Sequence, residues 1–291
     1  MTRTMIFHLR IFLFVPAMWA GVTGSSELLP EDARYSGIGQ MRVSSACTAS
    51  WIVPRGAVPD DAPAYVLSAG HCYSTSLGTN EIVLDRALPS GTMVFRFFKD
   101  TPVERRVTAR VRRVVWASMR NTDVGVFELD TTVGFLRGQG IVPLVVGEEV
   151  EEELVVRGIP VARVFPDEQF LRAASCRFEG AYDLIEFVWT FRRFLRDDCA
   201  DISGGSSGSP VMNRRSGEVV SVMSTTVEGE APCYLGMPCL VGGEVLPGNY
   251  SAPVLGMGDC VREDGWFEPR ISGCPLPVLA APALSGGGAE G

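Results

Sequence analysis

Two short stretches carry side chains that could do nucleophilic chemistry together. The first is Tyr65-Val66-Leu67-Ser68-Ala69-Gly70-His71-Cys72, a β-rich run whose small residues expose an imidazole at a strand end. The second is Asp201-Ile202-Ser203-Gly204-Gly205-Ser206-Ser207-Gly208-Ser209-Pro210, where hydroxyls sit among residues with almost no side chain. Glycines there can take backbone angles closed to other residues and let a substrate approach the main chain. Successive N–H groups in such a turn can converge on one point, as an oxyanion requires. Alone, the second stretch reads equally as a flexible Gly/Ser linker. A serine hydroxyl is a poor nucleophile at neutral pH, so the chemistry depends on a base supplied from elsewhere in the chain.

Histidine is scarce: the chain holds only His8 and His71. His8 lies in residues 1–24, where Arg3 and Arg10 flank a basic start and the apolar run IFLFVPAMWA follows. Small residues at Ala20, Gly21 and Gly24 complete the pattern of a secretory signal peptide cleaved near Ala20 or Gly24. The run is too short for a membrane span and is broken by Pro16. After cleavage His71 is the one imidazole left. Between the two stretches, Asn121-Thr122-Asp123-Val124-Gly125-Val126-Phe127-Glu128-Leu129 offers a carboxylate, Asp123, at the start of an alternating apolar strand. Asp85 and Asp130 are its rivals, though Asp85 beside Arg86 is more simply an ion-pair residue. The order His71, Asp123, Ser207 also removes the hydrolase elbow Gly-x-Ser-x-Gly with Ser206 as nucleophile, because that fold needs a histidine after its serine.

The box Ser68-Ala69-Gly70-His71-Cys72 and the loop Gly205-Ser206-Ser207-Gly208-Ser209-Pro210 resemble those of the chymotrypsin (trypsin-like) serine proteases. Their style is closest to secreted glutamyl-endopeptidase-like bacterial members. The resemblance implies a Ser207–His71–Asp123 triad with an oxyanion hole from the N–H groups of Gly205 and Ser207. It also implies two six-stranded antiparallel β-barrels, with the site in the cleft between them, and a Cys47–Cys72 disulfide holding the histidine loop. Substrate-pocket positions carried over are Asp201, six residues before Ser207, and Ser224, Thr225 and Thr226 at the end of a strand. The implied partner is a protein or peptide substrate, with no cofactor. An inactive secreted protein of the same fold is the alternative, although such relatives commonly lose a triad member. Two departures bear on activation. Residues 25–40 contain no Ile-Val-Gly-Gly start, and Ser206 stands where trypsin-like zymogens keep an aspartate for the new N-terminus. Activation by N-terminal insertion is therefore not expected, and Ser203 replaces the cysteine many animal members carry.

Composition agrees with a secreted β protein. The 291 residues are 46% hydrophobic, ample for a sizeable core. The net charge of −8 does not suggest nucleic-acid binding, and no stable membrane association is expected once the signal is removed. Eight cysteines behind a signal point to structural disulfides. A metal site is disfavoured by the single mature histidine and the lack of paired Cys-x-x-Cys motifs. Besides Cys47–Cys72, proximity in the chain suggests Cys176–Cys199, Cys233–Cys239 and Cys260–Cys274. Short β-branched and aromatic runs separated by Pro/Gly turns make residues 41–136 all-β. Periodicity alone would allow one or two barrels or sandwiches. The partial Arg/Val alternation of residues 105–115 reads as a strand with valines inward and arginines outward. Residues 186–195 (EFVWTFRRFL) suit helix or strand equally, whereas residues 218–225 read as a buried strand. The expected organisation is a signal at 1–24, a first barrel at 25–137, a second at 138–274 and a disordered tail at 275–291, acting as a monomer. Asn249-Tyr250-Ser251 is a glycosylation sequon, usable only in a eukaryotic secretory host.

Overall fold

The computed structural model describes residues 26–277; the signal-peptide reading of 1–24 and most of the tail lie outside them. The β-branched and aromatic runs form six strands of an N-terminal ring. They are β1 (Ile38–Arg42), β2 (Ala46–Val53), β3 (Pro63–Ser68), β4 (Thr92–Phe95), β5 (Val107–Ser118) and β6 (Val124–Thr132). They pair antiparallel in the order β1-β4-β5-β6-β3-β2, and β2 pairs back with β1. A second ring comprises β7 (Glu153–Gly158), β8 (Arg172–Glu186), β9 (Trp189–Asp197), β10 (Pro210–Asn213), β11 (Val219–Thr226) and β12 (Asn249–Pro253). Its order is β8-β7-β10-β11-β12-β9, closed by β8 against β9. The fold is thus all-β, built from two six-stranded antiparallel rings.

The expectation for the Arg/Val stretch holds at the start of β5, where Val107, Ala109 and Val111 are buried and Thr108, Arg110 and Arg112 face solvent. Period-two alternation on a pleated strand requires this. Arg112 and Arg113 then reach the buried Glu128 on β6, at 3.1 and 2.8 Å, so that carboxylate is paired rather than isolated. Trp51, Trp116, Phe95 and Phe127 are fully buried in the first ring, and Phe191 stacks on Phe194 in the second at 4.6 Å. Each such side chain contributes roughly 1.5–3 kcal/mol by leaving water. The ambiguous run 186–195 becomes the β8–β9 hairpin, because Trp189, Phe191 and Phe194 face inward while Phe187 and Val188 turn at the tip.

The rings exchange short segments near the expected junctions. Glu27–Leu28 of the lead-in pairs with β8, and Leu144–Val145 runs parallel to β2. Residues 275–277, read from sequence as the start of the tail, lie on the first ring. Leu276 is buried there, and the Pro277 carbonyl accepts a bond from Trp116 Nε1 at 3.0 Å. Disulfides join Cys47–Cys72, Cys176–Cys199, Cys233–Cys239 and Cys260–Cys274, the four pairings read from the sequence. The sequon is a correction. Asn249 is buried in β12, and its amide donates to Asp197 Oδ1 at 2.9 Å and to the Cys199 carbonyl at 2.8 Å, out of reach of a glycan. Among the described residues no helix is long and apolar enough to cross a membrane.

Candidate active site

β3 ends at Ser68, whose hydroxyl donates to the Thr48 carbonyl at 2.7 Å. The chain then makes a single tight turn, Gly70–Cys72, and Cys72 is anchored to Cys47 on β2. His71 is held between these anchors with its side chain 21% exposed. Asp123 arrives from the turn between β5 and β6. Asn121 there takes a left-handed φ of +57°, a conformation asparagine tolerates better than most residues. Its carbonyl accepts from Arg192 N–H of β9 at 2.9 Å, so the second ring holds the acid's turn in place.

Asp123 is 1% exposed and its carboxylate is fully engaged. Oδ1 accepts from the His71 backbone N–H at 2.8 Å; Oδ2 accepts from His71 Nδ1 at 2.7 Å and from Ser224 Oγ at 2.6 Å. Burial alone would raise the Asp123 pKa, but the His71 charge and these hydrogen bonds together hold it below the ordinary carboxylate value. Burial likewise opposes the charged form of His71, yet Asp123 outweighs it, with help from Glu186, and the imidazole is raised above its usual 6.5. The rival acids lie elsewhere: Asp85 pairs with Arg113 at 2.6 Å, and Asp130 is exposed.

The loop between β9 and β10 carries Ser207. Gly205 has φ +97°, and a Cβ there would come within 2.7 Å of Val161 N. Gly208 has φ +78°, and a Cβ there would collide with Ser68 Oγ and the Thr48 carbonyl of the first ring. Both positions therefore need glycine. The Gly204 carbonyl accepts from the N–H groups of Val161 and Ala162 at 2.8 and 2.9 Å. A trans peptide sets its C=O and N–H on opposite sides, so this anchoring directs the Gly205 N–H away from residues 161–162. Among the described residues neither the Gly205 nor the Ser207 N–H has a protein acceptor. Ser206, the elbow alternative, is buried.

Thr48 is the residue sequence reasoning missed in this loop. It is fully buried on β2, its N–H donates to the Ser207 carbonyl at 2.9 Å, and its hydroxyl donates to the Gly205 carbonyl at 3.0 Å. The same hydroxyl accepts from Ile159 N–H at 2.9 Å. One threonine thus clamps the Ser207 loop of one ring to a strand of the other. A single Thr in a β-rich run gives no sequence signal of this.

A cavity of about 500 Å³ brings the parts together, with His71, Asp123, Gly204, Ser207, Ser224, Thr225 and Thr226 on its wall. Asp201 is not among them. Its φ of +58° turns the carboxylate outward, where it accepts from the Ser26 N–H at 2.7 Å and the Ser26 hydroxyl at 3.0 Å. Besides Asp123, the cavity wall carries a second buried carboxylate, Glu186 at the end of β8, which the sequence reading did not single out. The two gatherings of metal-type groups, Cys47–His71–Cys72 and Cys176–Asp197–Cys199, each contain a disulfide, whose sulfurs offer no thiolate.

The profile of the trypsin-like peptidase domain matches residues 51–222, more than half of the chain. The chain belongs to the trypsin-like peptidase family. No curated protein matches it in sequence. Among solved structures, a thermostable serine protease from an extremophilic microorganism superposes with a TM-score of 0.52 at 18% identity, covering 78% of this chain and 94% of the other. Protease Anisep from Arthrobacter nicotinovorans gives 0.51 at 15% identity, covering 77% and 92%. Human heparin binding protein gives 0.50 at 12% identity, covering 80% and 92%. At these identities the likeness is one of fold. In this trypsin-like peptidase the cavity lies where the two rings meet: β3 and the β5–β6 turn come from one, the Ser207 loop and β11 from the other.

Proposed function

We propose that this trypsin-like peptidase is a secreted serine endopeptidase working through Ser207, His71 and Asp123. The observation that carries the reading is the 2.7 Å contact of a buried Asp123 with His71 Nδ1, on the wall of the cavity that Ser207 also lines. With Nδ1 occupied, Nε2 is the nitrogen free to act as base. Ser207 Oγ attacks the scissile carbonyl carbon while His71 Nε2 takes the hydroxyl proton. The C–N bond breaks as the imidazolium returns that proton to the leaving amine, and water then hydrolyses the acyl-enzyme by the same route. Asp123 fixes the tautomer and stabilises the imidazolium. The oxyanion is met by the N–H groups of Gly205 and Ser207, each worth roughly 2.7–4 kcal/mol in a comparable protease. Four disulfides suit the oxidising compartment that secretion implies.

The test is labelling with a fluorophosphonate at neutral pH and mapping of the modified residue by mass spectrometry. Modification at Ser207 that disappears in His71→Ala supports the reading. Well-folded mature protein that resists the probe removes it and leaves a binding protein of the same fold.

A further inference from the structure

The titratable groups on the cavity wall do not balance. His71 is paired with Asp123 at 2.7 Å, and Arg163 with Glu228 at 2.9 Å. The fifth, Glu186, is 7% exposed and has no cationic side chain within ion-pair distance among the described residues. Its Oε1 accepts from Thr225 Oγ1 at 2.9 Å and from the Gly236 N–H at 2.7 Å, which fixes the carboxyl plane. Oε2 receives no hydrogen bond among the described residues. The carboxyl is thus locked by one oxygen while the other is left open to the cavity, where a cation entering with a ligand can pair with it. Burial, with the Asp123 charge adding to it, holds Glu186 above the ordinary glutamate range against those two hydrogen bonds. A cation arriving at Oε2 would reverse that shift. Met119, Trp189 and Leu235 line the same cavity and offer apolar surface suited to a methylene stem.

We infer that Glu186 is a specificity-determining residue that receives the cationic head of a lysine or arginine side chain near the scissile bond. The inference rests on the peptidase reading above and names the substrate class of that same site. Asp201, carried over from the sequence as a pocket position, faces Ser26 instead and is not the carboxylate meant.

The decisive measurement profiles cleavage of a peptide library, then compares matched peptides carrying lysine or its neutral analogue norleucine at the preferred position. The wild type favours lysine or arginine at one fixed position. In Glu186→Gln, which keeps the Oε1 acceptor, the lysine-to-norleucine ratio of kcat/KM falls about ten- to hundredfold, the worth of a charge-assisted bond. A library profile without basic preference, or a ratio unchanged in Glu186→Gln, overturns the inference. A second readout needs no turnover. Calorimetry of Ser207→Ala with agmatine shows saturable binding that the added Glu186→Gln change weakens at least tenfold, and no binding to Ser207→Ala overturns the site. Agmatine binding without fluorophosphonate labelling of the wild type would instead remove the peptidase reading and leave the cation site standing.

Discussion

The two rings share one strand order, and their loops can be laid side by side. The connection after the third strand carries His71 in the first ring and Ser207 in the second. In each ring that connection is tied by a disulfide to the second strand: Cys72 to Cys47 on β2, and Cys199 to Cys176 on β8. The proposed base and the proposed nucleophile thus occupy equivalent places in two copies of one architecture, presented from stiffened loops. The difference lies one hairpin further on. Between β5 and β6 the first ring makes a tight turn that delivers Asp123. Between β11 and β12 the second ring has a long excursion, residues 227–248, stapled within itself by Cys233–Cys239. That excursion supplies Glu228, Leu235 and Gly236 to the cavity wall. On the proposed reading the first ring's hairpin serves proton chemistry and the second ring's shapes the pocket, so catalysis and specificity can vary separately.

The largest break in the comparison comes from removing either equivalent partner. Ser207→Ala and His71→Ala should each lower kcat/KM on the order of a millionfold, and the double variant scarcely more, because the groups act as one unit. Single-turnover assays that found additive losses would separate the two loops. Next comes the element without a counterpart. Asp123→Asn should cost about ten-thousandfold in kcat by favouring the wrong tautomer. In the wild type, kcat/KM should fall as pH drops through a His71 pKa above 6.5, since only the neutral imidazole takes a proton. In Asp123→Asn burial is opposed only by the smaller effect of Glu186, so the midpoint should move down. An unmoved pH profile would contradict the Asp123–His71 pairing.

Smaller effects sharpen the likeness of the loops. The Cys47–Cys72 and Cys176–Cys199 bridges span 25 and 23 residues. Replacing either pair by alanine should therefore cost a similar amount, about 2–4 kcal/mol by denaturant unfolding. A much larger loss in one pair would mean that the rings do not share stability equally. Thr48→Val tests the clamp between them. It leaves the Gly205 carbonyl and the Ile159 N–H without a buried partner, for a loss of roughly 2 kcal/mol and a weaker oxyanion site. Unchanged stability with unchanged kcat would dismiss the clamp.

How much of this was legible in the chain depends on the range of the interaction. His71 and Ser207 stand in small-residue settings that only exposure and close backbone approach explain, so local sequence singles them out. The alternation that buries Val107, Ala109 and Val111 is likewise local. Residues 186–195 were ambiguous because a run with aromatics on both faces has no period, and only pairing with β8 decided for a strand. The spacing of Asp201 gave its place in the chain but not its direction, which a left-handed φ reversed. Asn249-Tyr250-Ser251 met the sequon rule yet sits inside a sheet, because a three-residue motif carries no information about burial.

The sequence by itself determined the all-β class and the order of His71, Asp123 and Ser207, because each is written in residue type, period or spacing. Which cysteines pair was settled by the distances the fold leaves between them. Only the tertiary structure decided that Thr48 bridges the rings, that Asp201 looks outward and that Glu186 is buried unpaired beside His71. These depend on which strands close against one another and on how much water the cleft excludes, and both are set by contacts between residues far apart in the chain.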